Sequence, residues 1–217
     1  MQQAVGGPRG VVEAVVPGLL FVVWFTATRD LQQSLIVSLG AAVVAVVARL
    51  ATRNSPAQAL SGLVGVALCA VVAARTGEAR DFYLPGLLIN AGYASVYAVS
   101  SISFPSFRVP FTGRRTRPGA WPLIGLLIGP LTGEGLAWRG DARRMRAYRQ
   151  VTWMWTVMFV VRLAVQLPLY AAGMVGALGA SRLAMGLPLF GLTAYLSWLV
   201  LRSVPLAKRI TPGRAGT

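Results

Sequence analysis

Only six carboxylates occur in the 217-residue chain: Glu13, Asp30, Glu78, Asp81, Glu134 and Asp141. There is no histidine and a single cysteine, Cys69. The commonest acid–base group, the commonest metal ligand and any intrachain disulfide are therefore ruled out, and no metal or cofactor is expected. Chemistry is left to carboxylates, Arg, Lys, Tyr and backbone groups. Three of the six carboxylates have ordinary structural accounts. Asp30 reads as a helix cap, Glu13 sits where a negative charge suits a helix N-terminus, and Asp141 lies in a basic stretch as a surface partner. Glu78, Asp81 and Glu134 remain as candidate catalytic acids.

Two of these three share the stretch ARTGEARDF at 74–82, which places Arg75, Glu78, Arg80 and Asp81 between two very apolar segments. Gly77 reads as the end of one helix and Asp81 as the N-cap of the next. If the turn is helical, Arg75 and Glu78 are neighbours at i,i+3, as are Glu78 and Asp81. An exposed, self-neutralised loop is the plain alternative. Glu78 has no capping role and is the sharper of the two to mutate.

The third, Glu134, falls in GLLIGPLTGEGLAW, where Gly125, Gly129 and Gly133 recur every four residues and predict close backbone packing. The costliest charge is Arg162, central in WMWTVMFVVRLAVQLPLY, where an exposed guanidinium costs at least about 2.5 to 3.5 kcal/mol. It needs an internal partner, and Glu134 is the first candidate. Gln166 shares its helix face, one turn further on. Arg182, Asn90, Tyr93 and Tyr97 are the other polar groups that could extend a path from the 74–82 joint toward Arg162.

The elements that must position these groups are membrane helices. Hydrophobic residues make up 55% of the chain, charged residues only 12%, and the mean hydropathy is +0.62. A soluble domain does not carry that balance. Six stretches are long enough to cross about 30 Å of hydrocarbon as helices: 11–28, 31–49, 57–74, 82–102, 151–173 and 180–202. A seventh, AWPLIGLLIGPLTGEGLAW at 120–138, is broken by Gly and Pro and reads as a re-entrant hairpin. The stretch RGDARRMRAYRQ at 139–150 reads as a basic segment along the interface, with Arg143, Arg144, Arg146 and Arg149 facing anionic lipid headgroups.

Charge placement supports this layout. The net charge of +15 would suggest nucleic acid in a soluble protein, but here the charges sit at the ends of apolar segments. Six spans plus a hairpin put 16 of the 21 basic residues on one side, predicted to be cytoplasmic together with both termini. The N-terminal stretch lacks a basic n-region and a cleavage site, so the first apolar segment is expected to be permanent. A loose echo between the first and second halves is too weak to support an inverted-repeat mechanism.

The blocks GGPRG at 6–10, ARTGEARDFYLPGLLINAGY at 74–93, GPLTGEGLAWR at 129–139 and RLAVQLPLYAAGMVGALGASRLAMGLPLF at 162–190 resemble the actinobacterial membrane family named domain of unknown function 3159. The resemblance implies an all-α polytopic membrane fold more than a function. The Arg- and Pro-rich stretch before the hairpin departs from the family pattern, as does the short amino-terminal region. A fainter similarity of build to small membrane terpene cyclases implies terpenoid chemistry of the isomerase or lyase class.

The leading expectation is a cell-membrane enzyme acting on an apolar, prenylated or terpenoid substrate by carboxylic-acid-initiated cyclisation. Such a reaction needs a protonated carboxyl, an apolar cavity and aromatic faces to stabilise carbocations. Burial favours the neutral form of a carboxyl, whereas neighbouring arginines oppose it. Trp24, Phe25, Tyr83, Tyr93, Tyr97, Trp153, Trp155 and Tyr170 could furnish the aromatic faces. The alternatives are a small-solute or ion transporter using Arg162 and the hairpin, and a non-catalytic envelope scaffold. No P-loop, dinucleotide motif or serine triad is present.

Overall fold

The structure is a computed structural model that describes residues 7–51, 56–102 and 120–206. The Arg- and Pro-rich stretch before the hairpin, the carboxyl-terminal basic residues and the side chain of Glu13 lie outside the described residues. All described secondary structure is helical. The α-helices are α1 (Gly7–Thr28), α2 (Leu31–Ala51), α3 (Pro56–Thr76), α4 (Leu84–Ser101), α5 (Leu123–Leu131), α6 (Ala142–Ala171), α7 (Val175–Ala184) and α8 (Leu187–Arg202). Four helical stretches, Leu31–Ala48, Ala79–Ser101, Ala142–Ala171 and Val175–Arg202, are long and apolar enough to cross a bilayer. The chain is thus a multi-pass membrane protein.

The first four elements start and stop close to the expected boundaries, for local reasons. Arg29 adopts φ 56° between α1 and α2, and Asp30 Oδ1 accepts the Gln33 amide at 3.0 Å, the predicted N-cap. Gly77, at φ 76°, ends α3, with its amide donating to Ala73 O at 2.9 Å.

One expectation is corrected and another refined. The basic segment 139–150 is not a separate interfacial element, because α6 starts at Ala142 and runs unbroken for 30 residues, roughly 45 Å at 1.5 Å per residue. That exceeds a hydrocarbon core of about 30 Å, so the basic turns are the extension of a long span. The sixth span, 180–202, falls inside the crossing stretch Val175–Arg202, which is interrupted once. It divides into α7 and α8 at Met185-Gly186, where a Cβ on Gly186 would lie 2.8 Å from Arg182 O.

The chain forms two compact units. The first takes residues up to Ile89 together with 164–186. Its core stacks Phe21 on Phe82 with ring centroids 4.0 Å apart, with Tyr83, Leu35, Ala70, Ala73 and Leu178 around them. Ser34 and Ser38, four residues apart and fully buried, let α2 approach α1 closely, and Ser38 Oγ donates to Pro17 O at 2.9 Å. On α7, Gly179 is required for packing, since a Cβ there would overlap Val22.

The second unit takes residues 90–163 and the chain from Leu187 onward. Its core is built on Trp138, Tyr148, Val151 and Ile124, with a second cluster around Met158 and Phe159. The entry to α5 is tied to α4, with Trp121 N donating to Ser100 O at 3.0 Å and Leu123 N to Ser100 Oγ at 3.2 Å.

Candidate functional site

The joint at 74–82 is built by a change of backbone state. After Gly77 the chain is extended at Glu78, and it then winds into a short 3-10 turn over Ala79–Tyr83, closed by Asp81 N donating to Glu78 O at 3.0 Å. This turn draws Asp81 inward to 8% exposure, while Glu78 stays exposed. Asp81 does not cap α4, as the sequence suggested. It lies inside the turn, and its Oδ1 accepts a hydrogen bond from Tyr170 Oη at 2.5 Å.

Tyr170 arrives from the last turn of α6, and Arg80 covers it, with Cζ 5.6 Å from the ring centroid. Arg80 also reaches Ala171 O at 3.5 Å, and its Nε is 3.8 Å from Glu78 Oε2. The ion pair is thus Arg80 with Glu78, not Arg75 with Glu78, because Gly77 ends the helix that would have aligned the latter. Arg75 is exposed at the end of α3. The arrangement couples a buried carboxylate to a phenol donor, and the guanidinium over that phenol ring pairs with a different carboxylate, Glu78.

Other predicted residues of this unit lie nearby. Arg182, in the last turn of α7, stands 5.8 Å from the centroid of Tyr83 and fills the space beside Gly86. The Tyr83 hydroxyl is buried without a hydrogen-bond partner among the described residues. Gln166 is buried at 4% exposure, and its Nε2 is likewise unpartnered. Each such group costs about 1 to 3 kcal/mol unless water or a ligand satisfies it.

In the second unit, Glu134 is 2% exposed. Its Oε1 lies 2.9 Å from Arg144 Nε, and its Oε2 accepts from Tyr148 Oη at 2.8 Å. Arg144 extends the network, donating through Nη1 to Leu201 O at 3.1 Å, in the last turn of α8, and to Val204 O at 3.0 Å, just beyond it. Where the sequence nominated Arg162 as partner, the structure supplies Arg144 and Tyr148. Arg144 itself is 2% exposed, so it is not a headgroup contact. Arg143, Arg146 and Arg149 remain exposed.

The glycines explain how Glu134 is brought in. A Cβ on Gly129 would lie 2.6 Å from Gly135 O and 2.7 Å from Trp138 Nε1, and one on Gly125 would lie 3.1 Å from Trp138 and Tyr148. Gly133 contributes conformation instead of packing, with φ 76°. The returning chain is held by Gly135 N donating to Gly129 O at 3.0 Å, which satisfies the broken helix end.

Asn90, Tyr93 and Arg162 also belong to the second unit. Tyr93 is exposed and stacks on Phe159 at 5.3 Å, Asn90 is half-buried, and Arg162 is half-buried on α6. Sequence reasoning missed Tyr170 and Tyr148 as carboxylate partners. The one available signal was the i,i+4 spacing of Arg144 and Tyr148 on α6, whose side chains meet at 4.8 Å. Asp141, expected at the surface, caps α6 through Oδ1, which accepts Arg143 N at 2.8 Å and Arg144 N at 3.2 Å.

No curated protein and no solved structure matches the chain. A family model described as "Protein of unknown function (DUF3159)" matches residues 5–116 and 119–208. The match encloses all four resembling blocks and most of the Arg- and Pro-rich stretch, so that stretch is not foreign to the family. With nearly its whole length matched, the chain belongs to the DUF3159 family.

Proposed function

We propose that this protein is a membrane-embedded enzyme acting on an apolar prenylated or terpenoid substrate, with Asp81 delivering the initiating proton. The observation that carries the reading is the buried Asp81 carboxyl held by Tyr170, in the 3-10 turn whose Phe82 and Tyr83 pack with Phe21. Aromatic faces stabilise cationic carbon as they do ammonium groups. Tyr170 Oη occupies Oδ1, which leaves Oδ2 to carry the proton. A phenol donor also stabilises the carboxylate left after transfer.

In the proposed step the Oδ2–H proton passes to an alkene carbon or an epoxide oxygen of the substrate. The resulting cation closes a ring, and loss of a proton to the Asp81 carboxylate, directly or through water, restores the acid. The product is an isomer of the substrate, so no oxidant or cofactor is consumed. Glu134 is assigned no part in this step, because its charge is already matched by Arg144.

The reading includes six spans, with 120–138 entering and leaving on one side, both termini cytoplasmic and the cell membrane as location. Conversion of a prenylated or epoxidised terpenoid to a cyclic product by membranes containing the protein, and not by empty membranes, tests it. Asp81→Asn should lower turnover at least about 100-fold, the usual scale for losing a general acid. Full turnover by a folded Asp81→Asn protein overturns the reading. A transport reading draws support from one feature, the helix α5 broken beside a buried ion pair. Its test is solute or ion flux into liposomes, lost in Arg162→Ala with the fold intact.

A further inference from the structure

In the second unit α6 and α8 run antiparallel. Arg144, near the start of α6, meets Leu201 and Val204 at the end of α8, while Met158 packs in one cluster with Leu189 at its start. Trp155 Nε1 pins the pair by donating to Ser197 Oγ at 3.1 Å. Along one side the two helices leave an open groove of about 710 Å³. Its walls divide into two chemistries. Arg146, Arg149 and Gln150 form the end nearest the start of α6, and below Trp153 the lining is aliphatic or methionine. Thr193 is the exception, but its hydroxyl is used by Leu189 O at 2.8 Å.

We infer that this groove is a binding site for one phospholipid of net negative charge, with the phosphate on Arg146 and Arg149 and the chain lying along α6 and α8. Charge complementarity identifies the occupant. Both arginines are exposed, and neither forms an ion pair among the described residues. The two nearby carboxylates are already used, Asp141 in capping α6 and Glu134 in pairing with Arg144. The groove lining contains no carboxylate. From Arg146 to Val161 the helix rises roughly 22 Å, somewhat more than one leaflet of a hydrocarbon core about 30 Å thick. A free phosphate would leave the apolar length empty, and a lipid without net negative charge, whose phosphate is offset by its own cation, would leave the two guanidinia uncompensated. The inference rests on this groove alone and not on the chemistry assigned to Asp81.

The test uses the full chain in phosphatidylcholine nanodiscs, with chain-brominated phosphatidylglycerol or phosphatidylcholine added. The readout is quenching of the Trp153 fluorescence, obtained by subtracting a Trp153→Phe protein. Brominated phosphatidylglycerol should quench at a lower mole fraction, by about fivefold for each arginine engaged. Arg146→Gln/Arg149→Gln should erase that preference. Arg143→Gln, which removes an exposed charge of the same segment outside the groove, should leave it intact. Leu192→Phe, which fills the groove without altering charge, should weaken quenching by both lipids. Equal quenching of the unaltered protein by the two lipids overturns the proposal. So does a loss in Arg143→Gln as large as in the double variant, or unchanged quenching in a folded Leu192→Phe protein.

Discussion

Replacing Glu134 by Gln separates two roles that a buried carboxylate can have. The substitution keeps the shape and an acceptor for Tyr148 Oη, but it leaves the Arg144 guanidinium, 3% exposed, without its counter-ion. Removing one partner of a buried pair costs about 3 to 5 kcal/mol, because the remaining charge stays desolvated. Arg144 keeps its two bonds to the end of α8, which places the expectation near the lower bound, about 3 kcal/mol. For a chain of this size that corresponds to a fall in Tm of roughly 6 to 12 °C. Thermal unfolding in detergent, followed by far-UV circular dichroism, measures it. The double variant Glu134→Gln/Arg144→Met should recover part of the loss, since no charge then remains buried, and the cycle yields the coupling energy. If Glu134→Gln unfolds at the temperature of the unaltered protein while its turnover collapses, Glu134 is a chemical group and the clamp reasoning is wrong.

Other substitutions probe the remaining features. Tyr170→Phe leaves the buried Asp81 Oδ1 without its donor and should cost about 1 to 3 kcal/mol of stability, the penalty for a buried acceptor left unsatisfied, measured by the same unfolding assay. Gly129→Ala forces a methyl group against Gly135 O and Trp138, and should destabilise by about 1 to 3 kcal/mol, whereas Gly133→Ala fails through its positive φ instead of crowding. Asp30→Ala removes the cap of α2 and should cost about 1 kcal/mol, visible as a modest fall in Tm without loss of activity.

Much of the helical layout was legible because it depends on local rules. Apolar runs, Gly77 and Asp30 fix where α1 to α4 begin and end within a few residues. The extent of α6 was not, since composition changes sharply near Val151 while Arg, Met, Ala and Gln continue the helix without interruption. The break between α7 and α8 was signalled only by Gly186 with Pro188 after it, inside a run apolar enough to pass as one span. At the sites, type was easier to read than partnership. Asp81 and Glu134 stood out because so few carboxylates exist. The cost of burying Arg162 drew the eye to a distant partner for Glu134, while Arg144 looked like surface charge. Tyr170 lies 89 residues from Asp81, a separation that no helical spacing encodes.

The α1–α2 turn has a consequence for how the chain enters the bilayer. Arg29 and Asp30 are adjacent at its tip, opposite in charge, and the arms behind them are fastened by Ser38 to Pro17. With the amino terminus on the cytoplasmic side, as proposed, this tip must be carried across the hydrocarbon. A hairpin that closes first presents a pair of zero net charge and a backbone already bonded to itself, so the crossing barrier is that of a dipole instead of an isolated ion. On that proposed topology, early pairing of these two helices would ease membrane insertion as well as contribute to the finished core.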